Sequence, residues 1–394
     1  MMVRHPAADP LLITKSEALA EFCGGLAHAP FITIDTEFLR EKTYWPILCL
    51  VQIAGPETDQ VAAIDTMAPG LDLTPLHALL RNTKVVKVFH AARQDVEIFF
   101  RMTGSIPAPI VDTQVLAMVC GFGDAASYET LAGKLANVRL DKLARFTDWA
   151  RRPLSARQLD YALSDVIHLR GIYEKLRDKA EKTGRIEWIA EEMALLTDPA
   201  TYEFNPENAW KRLKTRSEKP RFLAVLKEVA AWREREAQSR DVPRNRVLND
   251  ENIVEIAAHV PETPEALAQC RGLTRGFADS RTGEAILAAV ERGLAVPDSD
   301  APKLPPRPDI PPGLGPLIDL LRVLLKLRCD EFEVAQKLIS NSSDLERIAA
   351  DDHAKVPALI GWRRKVFGEE ALALKHGKLA LTAKGRSIRI ISLE

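Results

Sequence analysis

The chain is 394 residues long, 46% hydrophobic and 28% charged, with a formal net charge of −1. That length exceeds what one hydrophobic core supports, so two or three domains are expected; the composition excludes wholesale disorder, and near-neutrality leaves any attraction to nucleic acid to local basic patches. Five scattered cysteines without a C-x-x-C pair, no signal-like N-terminus and no run of roughly 18 apolar residues argue against zinc and a membrane, and predict a cytoplasmic protein.

In chain order, the pattern from Leu11 reads as a helix, then a strand at Phe31–Asp35 and a second at Ile47–Ile53, closed by the turn signal Gly55-Pro56. A third apolar run at Gln60–Ile64 follows, then a helix (Leu73–Leu80), a strand (Lys84–His90) and another helix (Arg93–Phe100). Such alternation predicts an α/β fold with a mixed sheet. Beyond Asp112 the chain is mainly helical, with apolar residues three and four apart through Tyr161, Val166 and Leu169. Composition shifts to long charged helices near residues 200–210, and residues 297–316 hold eight prolines, which favours an extended linker. A helical unit follows from residue 317. It echoes residues before the linker: the pairs Ile256-Ala257 and Ile348-Ala349 lie 92 positions apart, a domain-sized duplication. The predicted organisation is therefore 1–204, 205–296, a linker at 297–316, and 317–394.

The segment FITIDTEFLR runs a strand into Asp35-Thr36-Glu37, and residues two apart in a strand share a face. Two carboxylates that close repel, a conflict that hard divalent cations resolve. Asp95 opens the helix after a buried-looking strand, where the helix dipole favours an anion. Tyr161 and Asp165 are four apart and share a helix face. Taken singly, each also fits ordinary structure: a solvated turn, a helix start, an amphipathic pair.

Together, and in this order, they resemble the DEDD exonucleases, whose motifs carry D-x-E, a mid-domain Asp and a last Asp preceded by Tyr or His; Tyr161, four before Asp165, matches the Tyr subtype. The surrounding text, KVFHAARQDVEIF and LDKLARFTDWARRPLSARQLDYALSDV, is similar to the ribonuclease D family. The resemblance implies a ribonuclease H-like α/β exonuclease domain followed by two small all-α domains. It implies that Asp35, Glu37, Asp95 and Asp165 bind two divalent ions, Mg²⁺ or Mn²⁺, and that Tyr161 orients the attacking water. The implied activity is 3′→5′ removal of nucleoside 5′-monophosphates from RNA with an accessible 3′ end, with tRNA precursors as the substrate class. A DNA exonuclease and a catalytically silent nucleic-acid-binding protein are the alternatives.

Residues 133–157 carry seven Lys/Arg against two Asp, and residues 205–246 twelve against six Asp/Glu, with Trp210, Phe222 and Trp232 interleaved. The segment AWREREAQSRDVPRNRVLNDENIVEIA resembles the helicase-and-RNase-D C-terminal (HRDC) domain, and the last unit a degenerate copy lacking the D-V-P-R-N-R signature. Phe38, Arg151, Arg152, Arg233, Arg240, Arg244 and Arg246 are the predicted RNA contacts. A monomer is expected.

Overall fold

The computed structural model describes residues 11–139, 147–304 and 311–393. These fall into two compact units. One combines the chain up to Glu37, Cys49–Thr201 and the C-terminal segment; the other combines Phe38–Leu48 with the helical segment that begins at Tyr202.

The first unit is built on six strands, β1 (Leu12–Ile13), β2 (Phe31–Leu39), β3 (Ile47–Ala54), β4 (Val61–Ile64), β5 (Val86–Phe89) and β6 (Ile110–Asp112), in the order β1-β4-β3-β2-β5-β6. The sheet is mixed, as expected: β1 is parallel to β4, β4 antiparallel to β3, and β5 parallel to both β2 and β6. Phe31–Ile34 are all buried, including Thr33, so β2 begins covered on both faces rather than alternating between core and solvent. Helices α1 (Ser16–Gly25), α2 (Thr74–Arg81), α3 (Arg93–Thr103), α4 (Thr113–Met118) and α5 (Tyr128–Leu131) precede the long α6 (Ala156–Lys182). Helix α6 starts at a capping box, in which Ser155 accepts from the Gln158 amide and Gln158 reaches back to Ser155. Its buried stripe, Leu159, Leu163, Val166, Leu169, Ile172 and Leu176, is the three-and-four spacing read from sequence. Strands β1 and β6, two and three residues long, are too short to show a period and were not anticipated.

In the second unit α7 (Pro220–Ser239) forms the centre of its own core, where Phe222, Leu223, Val225, Leu226 and Val229 meet Ile253, Ile256, Ile286 and Val290. A short helix, Arg244–Val247, and a longer one, Asp250–His259, follow α7. The β2–β3 connection contributes Tyr44, whose ring packs on Ala237 and Val247, while Asp241 Oδ1 accepts from the Tyr44 and Trp45 amides at 3.1 and 3.0 Å. Of the proline-rich stretch 297–316, residues 305–310 lie outside those described.

The C-terminal segment repeats this design. Helices Gly315–Glu331, Gln336–Ile339 and Ser342–Ala350 correspond to α7, Arg244–Val247 and Asp250–His259, and the short helices lie 92 positions apart at both ends. Asp241 and Glu333, also 92 apart, both take left-handed backbone, with φ of 46° and 48°. The environment differs. Leu321, Leu324, Leu325, Ile348 and Phe367 join one core with Phe31, Val88, Leu116, Met118, Ile172 and Leu176. Trp362 stacks on Trp188 at 4.2 Å, Lys179 pairs with Glu333 at 2.8 Å, and the Ala335 amide donates to the Met118 carbonyl at 2.8 Å. The all-helical reading of this segment holds only as far as Lys375: beyond it Leu379–Lys384 and Ser387–Ser392 form a hairpin, with Gly385 at positive φ in its two-residue loop. Much of the hairpin is exposed, so no strong apolar alternation announced it.

Candidate active site

Strand β2 presents Thr33, Asp35 and Glu37 on one face, because side chains alternate. Thr33 Oγ1 donates to the Val166 carbonyl of α6 at 2.8 Å, which fixes that helix over this face and brings the neighbouring Asp165 beside the strand. Ligand oxygens of Asp35, Glu37 and Asp165 lie within 4.8 Å of one another, and all three residues are half-buried. Thr36, of opposite parity, turns the other way and donates to Asp95 Oδ1 in the first turn of α3. Asp95 is thus adjacent to the trio rather than within it.

Burial pushes the Asp35 carboxyl up to about 6, against the pull of the Thr36 amide. Asp95 is also raised well above the ordinary carboxylate range, first by burial and then by the negative charge on Asp35, with a smaller push from Asp112. Crowded, desolvated oxygen donors of one sign favour protonation or a cation. A hard divalent ion with oxygen preference suits this donor set, and a thiophilic one does not.

Tyr161 stands one turn before Asp165 on α6, half-buried, its ring tilted against Trp149 at 6.2 Å. Three of the four predicted carboxylates therefore meet between β2 and α6, with Asp95 of α3 bonded to Thr36 beside them and Tyr161 one turn away from Asp165 along α6.

Three supporting residues escaped sequence reading. The Tyr128 hydroxyl donates to the Asp165 carbonyl at 2.5 Å and the Ser164 carbonyl at 3.2 Å. Its acidity is suppressed by burial and then by the charges of Asp165, Asp35 and Tyr161, so it remains a phenol and a donor. Asp112 caps α4 through the Gln114 amide at 2.8 Å and accepts from the Ala91 and Ala92 amides at 2.9 Å each. It thereby pins the turn that launches α3, where Ala91 takes positive φ. His90, whose ring lies 5.6 Å from that of Tyr128, contacts Thr113 Oγ1 through Nδ1 at 3.0 Å, and burial lowers its pKa. The only advance signal was the N-cap pattern Asp112-Thr113.

The predicted RNA contacts divide. Arg151, Arg240 and Arg246 are exposed, Arg240 lying 3.5 Å from Glu236, and Phe38 is half-buried at the end of β2. Arg152 is turned inward instead: its guanidinium grips Asp65 at 2.6 and 2.8 Å and the Cys49 carbonyl at 2.8 Å, so packing rather than phosphate occupies it. Arg233 is likewise not a surface contact, being 3% exposed and bonded to the Leu248 carbonyl and Asp250. Arg244 is half-buried and held by Glu234. Lys142 and Arg145 of the first basic stripe lie outside the described residues.

Comparison with known proteins identifies relatives of this chain. Residues 10–181 match the 3′-5′ exonuclease family model, and residues 222–290 match the HRDC domain. The chain is 52% identical over 385 residues to ribonuclease D of Granulibacter bethesdensis, covering 98% of this chain and 97% of that protein. It is 53% identical over 380 residues to ribonuclease D of Nitrobacter hamburgensis, with 96% and 99% covered. The crystal structure of Escherichia coli RNase D, described as an exoribonuclease involved in structured RNA processing, superposes with a TM-score of 0.79 at 29% identity, over 94% of this chain and 99% of that one.

Proposed function

The chain belongs to the ribonuclease D family, and we propose that its carboxylate cluster binds two divalent ions, Mg²⁺ or Mn²⁺, and hydrolyses RNA from the 3′ end to nucleoside 5′-monophosphates, in the maturation of tRNA precursors and other small RNAs. The convergence of Asp35, Glu37 and Asp165 within 4.8 Å, with Asp95 next to them, carries this reading.

Asp35, Glu37, Asp95 and Asp165 are the residues that would hold the ions. When bound, such ions supply Lewis-acid polarisation of the scissile phosphate and of the attacking water. Without a cation the same carboxylates repel the phosphodiester, so substrate binding and metal binding are linked. Tyr161, on the same α6 face as Asp165, orients the water through its hydroxyl, since a phenol is a poor base at neutral pH. Tyr128 holds the α6 backbone at Asp165, Thr36 holds the Asp95 carboxyl, and Thr33 holds α6 to β2. The nucleophile and the leaving 3′ oxygen therefore meet groups whose positions are set before substrate arrives.

The test is shortening of a 5′-labelled RNA with an unpaired 3′ end, beside the matching DNA, with Mg²⁺, Mn²⁺ or chelator. Metal-dependent laddering of the RNA is expected, with the rate of Asp35→Asn lowered more than the roughly 10- to 100-fold typical of supporting-shell changes. Equal degradation by the variant, or undegraded RNA bound by both proteins, would overturn the proposal. A separate arm with a tRNA precursor carrying a 3′ extension tests the substrate class.

A further inference from the structure

Tyr161 is half-buried on α6, and a ring from outside that helix packs against it. Trp149, which precedes α6 in the chain, is 3% exposed, and its ring centroid lies 6.2 Å from that of Tyr161 at an interplanar angle of 33°. A phenol ring swings about two side-chain torsions, so a large buried neighbour restricts where its hydroxyl can go.

The segment that bears Trp149 is tied down on two sides. Gln158 Nε2, in the first turn of α6, donates to Thr147 Oγ1 at 3.2 Å and to the Asp148 carbonyl at 3.5 Å. Arg152 makes the other tie. Its Nη1 donates to the Trp149 carbonyl at 2.6 Å, while Nε and Nη2 grip Asp65 just past β4 at 2.8 and 2.6 Å, and Nη2 also reaches the Cys49 carbonyl of β3 at 2.8 Å. Asp65 is buried, and a two-pronged guanidinium–carboxylate pair fixes direction as well as distance. One side chain thus refers the Trp149 backbone to two strands of the sheet.

Trp149 contributes a ring rather than a hydrogen bond. Its Nε1 is buried and, among the described residues, has no hydrogen-bond partner. Buried indoles ordinarily satisfy that donor, and leaving it unmet is costly. The contact with Tyr161 is what the residue offers in return.

We infer that Trp149 is a positioning residue for Tyr161, held in place by Arg152 and Asp65. The inference rests on the reading of Tyr161 as the group that orients the attacking water, and deepens it. Thr33 and Tyr128 bond to the α6 backbone, whereas Trp149 sets the direction of the phenol ring.

The experiment compares full-length wild type with Trp149→Leu, Trp149→Phe, Arg152→Lys and Tyr161→Phe, and places the Leu and Lys changes on Tyr161→Phe as well. Shortening of a 5′-labelled oligoribonucleotide in Mg²⁺ gives kcat and KM. Trp149→Leu is expected to lower kcat about fivefold or more, the worth of an ordinary ring pair, with KM changed less than about twofold. Trp149→Phe, which keeps a ring and removes the unmet donor, recovers most of that loss. Arg152→Lys keeps the charge but not the fork; it lowers kcat in the same manner and carries the test where a melting curve shows Trp149→Leu unfolded. On Tyr161→Phe neither change lowers kcat further, because the hydroxyl they position is gone. Independent losses in the double variants, equal damage from Phe and Leu, or a change in KM alone overturns the inference.

A readout without chemistry separates this inference from the nuclease reading. In protein labelled with meta-fluorotyrosine, the fluorine resonance that disappears in Tyr161→Phe is expected to shift in Trp149→Leu, where the indole ring current is removed. An unmoved resonance overturns the inference even where wild-type protein shortens RNA. A shifted resonance, with wild-type protein that shortens no RNA in either metal, overturns the nuclease reading alone.

Discussion

The two helical copies share a backbone plan and differ in what they pack against. In the first, α7 buries its apolar stripe within its own unit and keeps a charged cluster of Tyr44, Glu234, Arg233 and Arg244. In the second, the corresponding helix buries Leu321, Leu324 and Leu325 in a core that includes the exonuclease sheet and α6. Polar positions in a duplicated scaffold can thus turn apolar once a neighbour covers them, because a buried charge without a partner is far more costly than a buried methylene.

Swapping the one position where this exchange is clearest is expected to give the largest effect. Leu325→Arg places an unpaired charge in a side chain that is 3% exposed, a loss on the order of 3–5 kcal/mol by analogy with broken buried pairs. Arg233→Leu, its mirror, leaves Asp250 with 62% of its side chain accessible, so solvent takes over the carboxylate and the change in stability stays within about 1 kcal/mol. Chemical denaturation of both variants checks the asymmetry; similar losses would break the comparison.

A matched pair of truncations follows. Ile256→Ala and Ile348→Ala remove side chains that are both 0% exposed, each at about 2–5 kcal/mol. Hydrogen exchange is expected to rise within residues 202–304 for the first, and through β5, α6 and the C-terminal segment for the second. Only the second is expected to shorten the thermal half-life of the nuclease activity.

The smallest effect is a pH dependence. Burial disfavours the Glu234 carboxylate, but hydrogen bonds from Arg244 and Tyr44 and the charge of Arg244 outweigh it and hold its pKa below the ordinary 4.5. A depressed folded pKa gives stability that is fully present above 4.5 and lost as pH falls through the folded value. In Glu234→Gln the second unit is less stable at neutral pH by about 1–3 kcal/mol, and its acid-side slope flattens, as melts between pH 7 and 3 would show.

The proposed site was legible in sequence where its residues sit in a local pattern with a short period: Asp35 and Glu37 two apart on a strand, Tyr161 and Asp165 four apart on a capped helix. The mixed sheet was legible for the same reason. Tyr128 and Asp112 were not, since their partners are backbone groups tens of positions away that tertiary folding alone brings near. Arg152 and Arg233 show the converse limit. A basic residue in a basic stretch reads as solvent-facing until the structure reveals an acid waiting for it, Asp65 in one case and Asp250 in the other.

The shared core has a consequence for the order in which the protein matures. Phe31, Val88 and Met118 leave the ribosome roughly two hundred residues or more ahead of Leu321, Leu325 and Phe367, which cover the same cluster. The sheet and α6 are therefore synthesised with part of their apolar surface still uncovered, and the carboxylates they carry gain a finished scaffold only when the late segment docks.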